Sequence, residues 1–382
     1  ASTAVTARGV TTTAATAPGA SSRVLATGSL APGVAATQEW LVSGSEVRGL
    51  ATVPCAGPGS DLWLIAGGGA PGRQERLVLT NSGANEVTVD LTVLGRRGVV
   101  PSPTGTTVVP AGGRVALLVD AITGPEASPA LRVRVNGGTV HAVMSDTWLD
   151  GSVPAGAEVT GPTAAPARRQ VIPAALVGSI GSIRIAVPDR QQAVVSARVI
   201  GAEGPVPLPD GVIRVPGRST GELALKVPAS GMYAVELTSD VPIVASLWAT
   251  QRVGERPGDF LWAPSTASSG GLIGAAYPSS KENPERVVSV VATRGPAAVS
   301  VTWRAVGAKD WTTRELTLAQ DTATSVNIGP ADSVWVRRTS GTGEVRSGVA
   351  SIGGVRGSRL VSSAPLTEST VTSVVSRAFP VP

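Results

Sequence analysis

Residues 87–93 read Val-Thr-Val-Asp-Leu-Thr-Val, with an apolar side chain at every second position. This alternation is typical of a strand with one face against a core and the other in water, as in antiparallel sandwich sheets. The same pattern recurs in LRVRV at 131–135 and SVTWRAV at 300–306. No segment of eleven residues has a clear helical period, so the sequence predicts an all-β protein. Short one-turn helices are expected at most near residues 118–122 and 174–177.

The strand pattern repeats along the chain. Val87, Val194 and Val299 begin equivalent strands, at spacings of 107 and 105 residues. In each copy a glycine-containing turn, further strands and a closing turn follow in the same order. This period is too long for a solenoid repeat and matches the size of a β-sandwich domain. The sequence therefore predicts three tandem immunoglobulin-like β-sandwich domains at residues 46–155, 167–253 and 258–356.

The segments between and beyond these domains differ in composition. Residues 151–166 and 251–258 are rich in Gly, Pro and polar residues, and we expect them to be linkers. Residues 1–45 are expected to be partly extended and to dock as an edge strand, and residues 357–382 to form an extended tail that docks in the same way. Free termini are the alternative.

Turn residues support the strand assignment. Asn136-Gly137-Gly138 has the chemistry of a hairpin with positive φ angles, and residues 81–85 are expected to join their flanking strands in the same manner. Residues 238–242 and 339–343 occupy the position of Asn136 to Gly138 in the other two copies.

Composition and charge exclude several classes of protein. Charged residues make up 15% of the chain and aromatic residues 3%, too few for long amphipathic helices. The net charge of +5 comes from 32 basic and 27 acidic residues, without a block of five basic ones. The densest pairs are Arg96-Arg97, Arg168-Arg169 and Arg337-Arg338. We interpret them as solvated strand residues, with weak attraction to an anionic envelope polymer as the alternative, and expect no nucleic-acid partner.

The single cysteine and the composition of the N-terminal segment favour a location outside the cytoplasm. The chain has one cysteine, Cys55, which has no internal partner and is expected to be buried or half-buried; an intermolecular bridge or thiol chemistry is the alternative. No run reaches the roughly 20 apolar residues of a membrane helix. Residues 1–22 have the Ser/Thr/Ala/Gly/Pro texture of a segment just outside a membrane. We expect a secreted protein, or one anchored by a segment outside this sequence.

Few residues suit catalysis or metal binding. His141 is the only histidine and has no G-x-S-x-G motif beside it, so we expect a structural or surface role. No enzyme activity, cofactor or metal is predicted.

The run from Gly67 to Arg73 leads into a strand and not a helix, unlike a phosphate-binding loop. It is expected to be a flexible loop, with anion capture by its amides and Arg73 as the alternative.

Tryptophan is the most informative aromatic residue, because eight of the twelve aromatic residues are Trp. Trp63 and Trp262 occupy similar contexts, as do Trp148 and Trp248, which suggests core plugs. A sugar-stacking platform beside carboxylates is the alternative, and Trp311 is the best candidate for an exposed ring. The proposed partner or ligand contacts are Asp61, Trp63, Arg73, Asp146, Trp148 and Trp311.

The stretch SDLWLIAGG at 60–68, the strand RLVLTN at 76–81 and SDTW at 145–148 resemble an actinobacterial family of secreted or membrane-tethered proteins of unknown function. The matching residues are Asp61, Trp63, Gly67, Gly68, Arg76, Leu77, Leu79, Asn81, Asp146 and Trp148. Genes of this family often lie beside a glycosyltransferase gene, so the resemblance implies a cell-envelope setting.

The leading functional hypothesis is a non-catalytic scaffold or adaptor of the cell envelope. Its sandwich edges and inter-domain grooves would bind an envelope protein, with a membrane glycosyltransferase as the implied candidate. The alternative is a cell-wall or polysaccharide-binding module that uses exposed tryptophans. A hydrolase is disfavoured by the poor inventory of catalytic groups.

Overall fold

The computed structural model describes residues 4–17, 21–101, 105–178, 180–227, 229–252, 254–280, 282–354 and 359–369. These residues form 27 strands, one short helix α1 (Asp120–Thr123) and one 3-10 turn (Gly28–Leu30). The all-β prediction and the one-turn helix near residues 118–122 are confirmed. The second short helix is wrong, because residues 174–177 lie in a strand.

The strands form a hairpin followed by three sets of paired sheets. The hairpin consists of β1 (Thr37–Ser43) and β2 (Arg48–Pro54). The first set contains β3 (Asp61–Leu64), β4 (Arg73–Thr80), β5 (Val87–Gly95), β6 (Gly98–Val100), β7 (Thr106–Val109), β8 (Arg114–Leu118), β9 (Ala130–Asn136), β10 (His141–Asp150) and β11 (Val153–Thr160). The second contains β12 (Ala167–Val177), β13 (Ile180–Ala186), β14 (Ala193–Gly201), β15 (Gly204–Val215), β16 (Thr220–Ala224), β17 (Gly231–Thr250) and β18 (Phe260–Pro264). The third contains β19 (Leu272–Ala276), β20 (Glu285–Thr293), β21 (Ala297–Ala305), β22 (Thr312–Leu318), β23 (Thr322–Gly329), β24 (Ala331–Gly341), β25 (Glu344–Gly353), β26 (Leu360–Pro365) and β27 (Thr367–Ser369).

The three sets share one antiparallel topology. In the first set one sheet has the order β3-β9-β5-β6, with β7 also on β5, and the other has β11-β10-β4-β8. The second set has β12-β17-β14-β15 and β18-β17-β13-β16, and its long strand β17 runs through both sheets. The third has β19-β24-β21-β22, with β27 beside β19, and β26-β25-β20-β23. One strand arrangement therefore occurs three times along the chain.

The apolar residues of each set collect between its two sheets. Along β5, Val87, Val89, Leu91 and Val93 are buried, and the polar residues between them are partly exposed. This is the alternation that the sequence shows. Each set has one large hydrophobic cluster of this kind, and the first cluster extends to Phe260 and Trp262 of β18. Apolar packing therefore continues from the first set into the second.

The predicted turns have the expected backbone but a different role. Gly137 has a φ of 85°, as the turn chemistry requires. The turn from 136 to 138 nevertheless leads from β9 in one sheet to β10 in the other, so it is not a hairpin. Residues 81–85 likewise connect β4 and β5 across the two sheets. Residues 339–343 make the same crossing, and residues 238–242 lie inside β17 where that strand passes between sheets.

Two predicted boundaries differ from the observed strands. The expected linker at 151–166 contains β11, which pairs with β10 and is mostly buried. The domain predicted at 258–356 begins with β18, but β18 pairs with β17 of the second set, placing Trp262 opposite Trp248. β11 is the last strand of the first set and β18 is the last strand of the second, and each lies at the edge of its sheet. We call such a strand the closing strand of its set. In the third set β26, within the predicted tail at 357–382, has this closing position.

The N-terminal hairpin forms a two-stranded sheet of its own and packs through β2 against β11 and β26. Residues before the hairpin also contact the third set: the Arg304 guanidinium donates hydrogen bonds to the Gly9 carbonyl and the Thr11 hydroxyl, at 2.5 and 2.9 Å. In the predicted tail, β27 pairs with β19. Residues 355–358 and 370–382 lie outside the described residues.

Candidate functional site

Three of the six predicted contact residues come together where the first and second sets meet. Arg73, which begins β4, donates two hydrogen bonds to the Asp146 carboxylate of β10, at 2.8 and 2.5 Å. Its guanidinium lies 5.7 Å from the Trp148 ring centre and 5.9 Å from that of Trp262. The Trp262 indole N–H donates to Asp146 at 2.7 Å, so an ion pair of the first set is bonded directly to the closing strand of the second.

The glycine-rich loop that follows β3 is held by this cluster. The Gly67 N–H donates to Asp146 at 3.2 Å, and the Gly68 N–H donates to Glu75 at 2.7 Å. Both glycines are buried, so the prediction of a flexible loop is wrong at these two positions. The alternative, anion capture by loop amides, has its counterpart within the protein, because the two amides bind the Asp146 carboxylate and the Glu75 carboxyl group. These two amides are therefore not free to bind a ligand.

Arg184 of β13 binds the same loop from the second set. Its guanidinium donates to the carbonyls of Ala66 and Gly67, at 3.2 and 2.9 Å, and pairs with Glu222 of β16 at 2.8 Å. It also lies 5.0 Å from the Trp262 ring centre. A guanidinium offers five donors in a rigid plane, and most of those in Arg184 bind across the boundary between the two sets.

Glu75 is a buried carboxyl group whose pKa lies far above its ordinary value. Burial raises its pKa to about 8, and a hydrogen bond to Asp120 and the nearby charge of Asp146 act in the same direction. The N–H of Gly68 opposes the rise. At neutral pH Glu75 therefore carries a proton and serves as a hydrogen-bonding group inside the cluster.

The other three predicted residues lie elsewhere. Asp61 and Trp63 are both on β3 and contact Arg132, which donates two hydrogen bonds to Asp61 at 2.8 and 2.5 Å and lies 5.5 Å from the Trp63 ring centre. Trp63 is buried. Trp311 lies in the third set, 38% exposed, with Arg304 5.2 Å from its ring centre. The six residues thus occupy three places, and their role in binding a partner stays a prediction.

A second cluster, which the sequence analysis did not identify, lies where all three sets meet. The buried carboxylate of Asp259 accepts four backbone N–H groups: those of Leu50 on β2, Ala157 on β11, Phe260 on β18 and Val361 on β26, at 2.8 to 3.1 Å. These residues belong to the hairpin and to the closing strand of each set. We call Asp259 and these four amides the Asp259 hub.

Both oxygens of the Asp259 carboxyl group act as hydrogen-bond acceptors in the hub. Burial raises the pKa of Asp259 well above its ordinary value, although its four N–H donors act in the opposite direction. Each oxygen accepts two of them, so a proton on either oxygen would point at N–H donors. The carboxylate therefore satisfies four backbone groups that would otherwise be buried without partners.

Two further buried acids connect the same elements. Glu158 of β11 accepts a hydrogen bond from the Ser362 hydroxyl of β26 at 2.9 Å. Glu39 of β1 forms two hydrogen bonds, at 2.9 and 3.2 Å, with Arg286 of β20. Arg286 is almost fully buried and stacks on Tyr277, with 3.6 Å between guanidinium and ring centre. Polar bonds shielded from water thereby attach the hairpin to the third set, and the first set to the third.

One signal could have revealed the hub. Ala157, Asp259 and Val361 are spaced 102 residues apart, close to the period of the repeat. All three residues lie directly before or within the closing strand of a set. An acidic residue directly before the apolar run FLWA at 260–263 then indicates a buried carboxylate.

The remaining singled-out residues have ordinary surroundings. Cys55 is free and exposed, which corrects the expectation that it is buried or half-buried. His141 lies 2.9 Å from the Ala56 carbonyl through Nδ1. Trp40 is 39% exposed, and Trp148 and Trp248 are half-buried.

The described ranges contain no group of three or more His, Cys, Asp and Glu residues placed to hold a metal ion. No helix in these ranges has the length and apolar character needed to cross a lipid bilayer.

Comparison with known proteins identifies a family without assigning an activity. Comparison with the curated proteins finds no match. A structure from Thermotoga maritima, described as the crystal structure of Thermotoga maritima 1070, is 18% identical over 26% of this chain and 93% of that chain. Its TM-score of 0.23 is too low to carry an argument. Residues 10–329 match a family of unknown function, DUF5719. This match spans most of the sequence and includes Arg73, Asp146 and Asp259. The chain therefore belongs to the DUF5719 family.

Proposed function

We propose that this protein is a non-catalytic scaffold or adaptor of the bacterial cell envelope, built from three immunoglobulin-like sandwiches. It lies outside the cytoplasm and binds an envelope protein, such as a membrane glycosyltransferase, through sheet edges and inter-domain grooves. The actinobacterial setting follows from the sequence resemblance. The observation that carries the proposal is the Asp259 hub, because it fixes the hairpin and all three sets relative to one another.

The buried ionisable groups support a structural role. Arg73, Asp146 and Arg184 would be the obvious candidates for chemistry, yet each is engaged in internal hydrogen bonds. Such bonds fix the relative orientation of packed elements and leave few free groups to act on a substrate. A scaffold needs fixed orientation, since it presents several surfaces to one partner.

The open edge of β8 is the best binding surface for an extended segment of that partner. In the second set the equivalent strand β16 is covered by the first set, with Thr220 bonded to the Ser128 carbonyl at 2.8 Å. In the third set β23 packs against β14 and β15 of the second. Among the described strands β8 pairs only with β4, and its residue Leu118 is 52% exposed.

The register shows which backbone groups of β8 are free to bind. The N–H of Asn81 donates to the Gly113 carbonyl and the N–H of Val119 donates to the Glu75 carbonyl. Because hydrogen-bonded pairs alternate along an antiparallel ladder, the backbone groups of Ala116 point away from β4. A partner strand can therefore add to this edge through main-chain bonds.

Substitution at Ala116 tests this proposal. Ala116→Pro removes an outward N–H and should abolish co-purification of the partner from detergent-solubilised membranes, without unfolding the protein. Ala116→Val keeps the N–H and should retain the partner. The proposal is wrong if wild type repeatedly emerges alone, or if both variants retain the same partner equally well.

Glycan binding is the second candidate, and the exposed rings of Trp40 and Trp311 favour it. Each ring offers a face for stacking on a sugar, although Arg304 already lies over Trp311. Addition of envelope polysaccharide should then shift the tryptophan fluorescence, and Trp40→Ala or Trp311→Ala should diminish the shift. A flat titration with wild type would eliminate this candidate.

A further inference from the structure

A groove of about 330 Å³ lies between the second and third sets of sheets. We propose that it binds the phosphate group of an anionic ligand. This site lies apart from the edge of β8 and does not depend on the proposed function. The groove is lined by Ala167, Arg168, Arg169, Thr238, Ser268, Arg294, Glu344 and Arg346.

The groove has an excess of positive charge. Its lining contains four arginines and a single carboxylate, that of Glu344. Glu344 is shared between Arg294 and Arg346, with N–O distances of 3.2 and 3.0 Å. Arg169 pairs at 2.7 Å with Glu236, which is buried. Counting both acids, two positive charges remain without a counter-charge, which matches the charge of a phosphate group.

Arg168 is the free cation of this groove. It is exposed, and within the described ranges it forms no ion pair or hydrogen bond. Its neighbour Arg169 is held by Glu236, so the Arg168-Arg169 pair singled out in the sequence divides into one structural and one available guanidinium. The guanidinium of Arg168 can therefore move toward a bound ligand.

The rest of the groove is held in place. Arg346 is largely buried and donates to the Thr266 carbonyl at 2.9 Å and to the Thr293 hydroxyl at 3.1 Å. Arg294 has a φ of 62°, a left-handed conformation that is costly for a residue other than glycine. Such a conformation is typical of residues retained for a function, and here it keeps a guanidinium at the rim of the groove.

The arrangement of the donors favours phosphate over carboxylate. A planar carboxylate is saturated by one guanidinium fork, whereas this groove brings arginines from β12, β25 and the turn after β20 to one place. Thr238 and Ser268 line it as well. Donors that approach from several directions suit the tetrahedral oxygens of phosphate.

The groove has room for more than a free ion. Ser268 and Arg346 also line an adjoining groove of about 310 Å³ with apolar residues such as Ile273 and Leu366. A phosphate held by the arginines can therefore carry a sugar or an acyl group into the second groove. The shared chemistry is a phosphate group with at least two free oxygens, and the experiment below determines whether it is a free ion or is carried by a sugar or a lipid.

Titration calorimetry at low ionic strength tests the site. The probes are inorganic phosphate, glucose 1-phosphate, and phosphatidylcholine vesicles that contain phosphatidic acid. Wild type should bind at least one probe, and Arg168→Gln should weaken that binding about tenfold, as expected for loss of one charge-assisted contact. Arg168 has no internal bond to lose, so this variant should fold normally.

The matched control is Arg214→Gln, which removes the same charge from an exposed position on β15, at the opposite edge of the sheet from β12. It should bind as wild type does. The probe that shows binding sensitive to Arg168 identifies a free ion, a sugar phosphate or a lipid headgroup as the source. The proposal is overturned if wild type binds none of the probes, or if both variants bind equally.

Discussion

Asp259 joins four segments of the chain through one side chain. Its four N–H partners are buried, and without the carboxylate they would lack acceptors. Asp259→Asn replaces one acceptor oxygen by an NH2 group that would face two N–H donors. We expect this variant to lower the free energy of unfolding by about 3–5 kcal/mol, measured by urea denaturation.

The control for that measurement is Asp310→Asn, a change of the same chemistry at an exposed position. It should alter the free energy of unfolding by less than about 0.5 kcal/mol. Equal stability of the two variants would contradict the role assigned to the Asp259 carboxylate.

Glu75 predicts a dependence of stability on pH. Its pKa rises from an ordinary value of 4.5 to about 8 on folding, so the folded protein keeps a proton that the unfolded chain releases above pH 4.5. The associated stability is present below about pH 4.5 and is lost as pH rises through about 8, by at most about 1.4 kcal/mol per pH unit. Glu75→Gln should remove this decline, because the amide remains neutral.

The measurement is the free energy of unfolding at a series of pH values between about 5 and 9. Other buried acids contribute to the profile of both proteins, so the difference between wild type and Glu75→Gln isolates Glu75. Glu203→Gln, at an exposed position, serves as the control and should follow wild type. Parallel profiles for wild type and Glu75→Gln would refute the prediction.

At the scale of elements, contact between the closing strands β11 and β18 leaves no room for a side chain at Gly156. Its φ is 143°, and a Cβ there would lie 2.5 Å from Cδ1 of Phe260 and 2.8 Å from Oδ1 of Asp259. Gly156→Ala should lower the free energy of unfolding by about 2–4 kcal/mol through strain and displacement of β18. Gly161→Ala, with no atom within 4 Å of its added Cβ, should be close to neutral. Similar thermal midpoints for the two variants would disprove this close approach.

The sequence predicts strands better than their connections. Alternation in β5 was sufficient to identify it, because burial of one face follows directly from the side-chain period. Turn chemistry at Gly137 predicts a positive φ, but the same local geometry serves a hairpin and a crossing between sheets. β11 was predicted as a linker because Gly and Pro interrupt its apolar pattern, and its burial depends on contacts with β2 and β18 that are remote in sequence.

At the scale of the whole molecule, the arrangement of the three sets follows from contacts between residues about 100 to 300 apart. Arg73, Asp146 and Trp148 could be singled out from the sequence because they lie in motifs. Arg184 could not, because it is a lone charge in an apolar run and the carbonyls that it binds belong to the first set. Asp259 is marked by its place directly before an apolar run, but its partners on the hairpin and the other sets have no local signal. A tandem repeat predicts similar units and leaves their relative orientation open. Here, buried polar bonds at the ends of the closing strands determine that orientation.

The contacts of the Asp259 hub predict that the hairpin and all three sets unfold as one cooperative body. Native-state hydrogen exchange at the amides of Leu50, Ala157, Phe260 and Val361 measures this directly. All four amides should exchange with one common free energy, close to that of global unfolding, and Asp259→Asn should accelerate all four together. Four different free energies in wild type, or exchange unchanged by Asp259→Asn, would contradict the account.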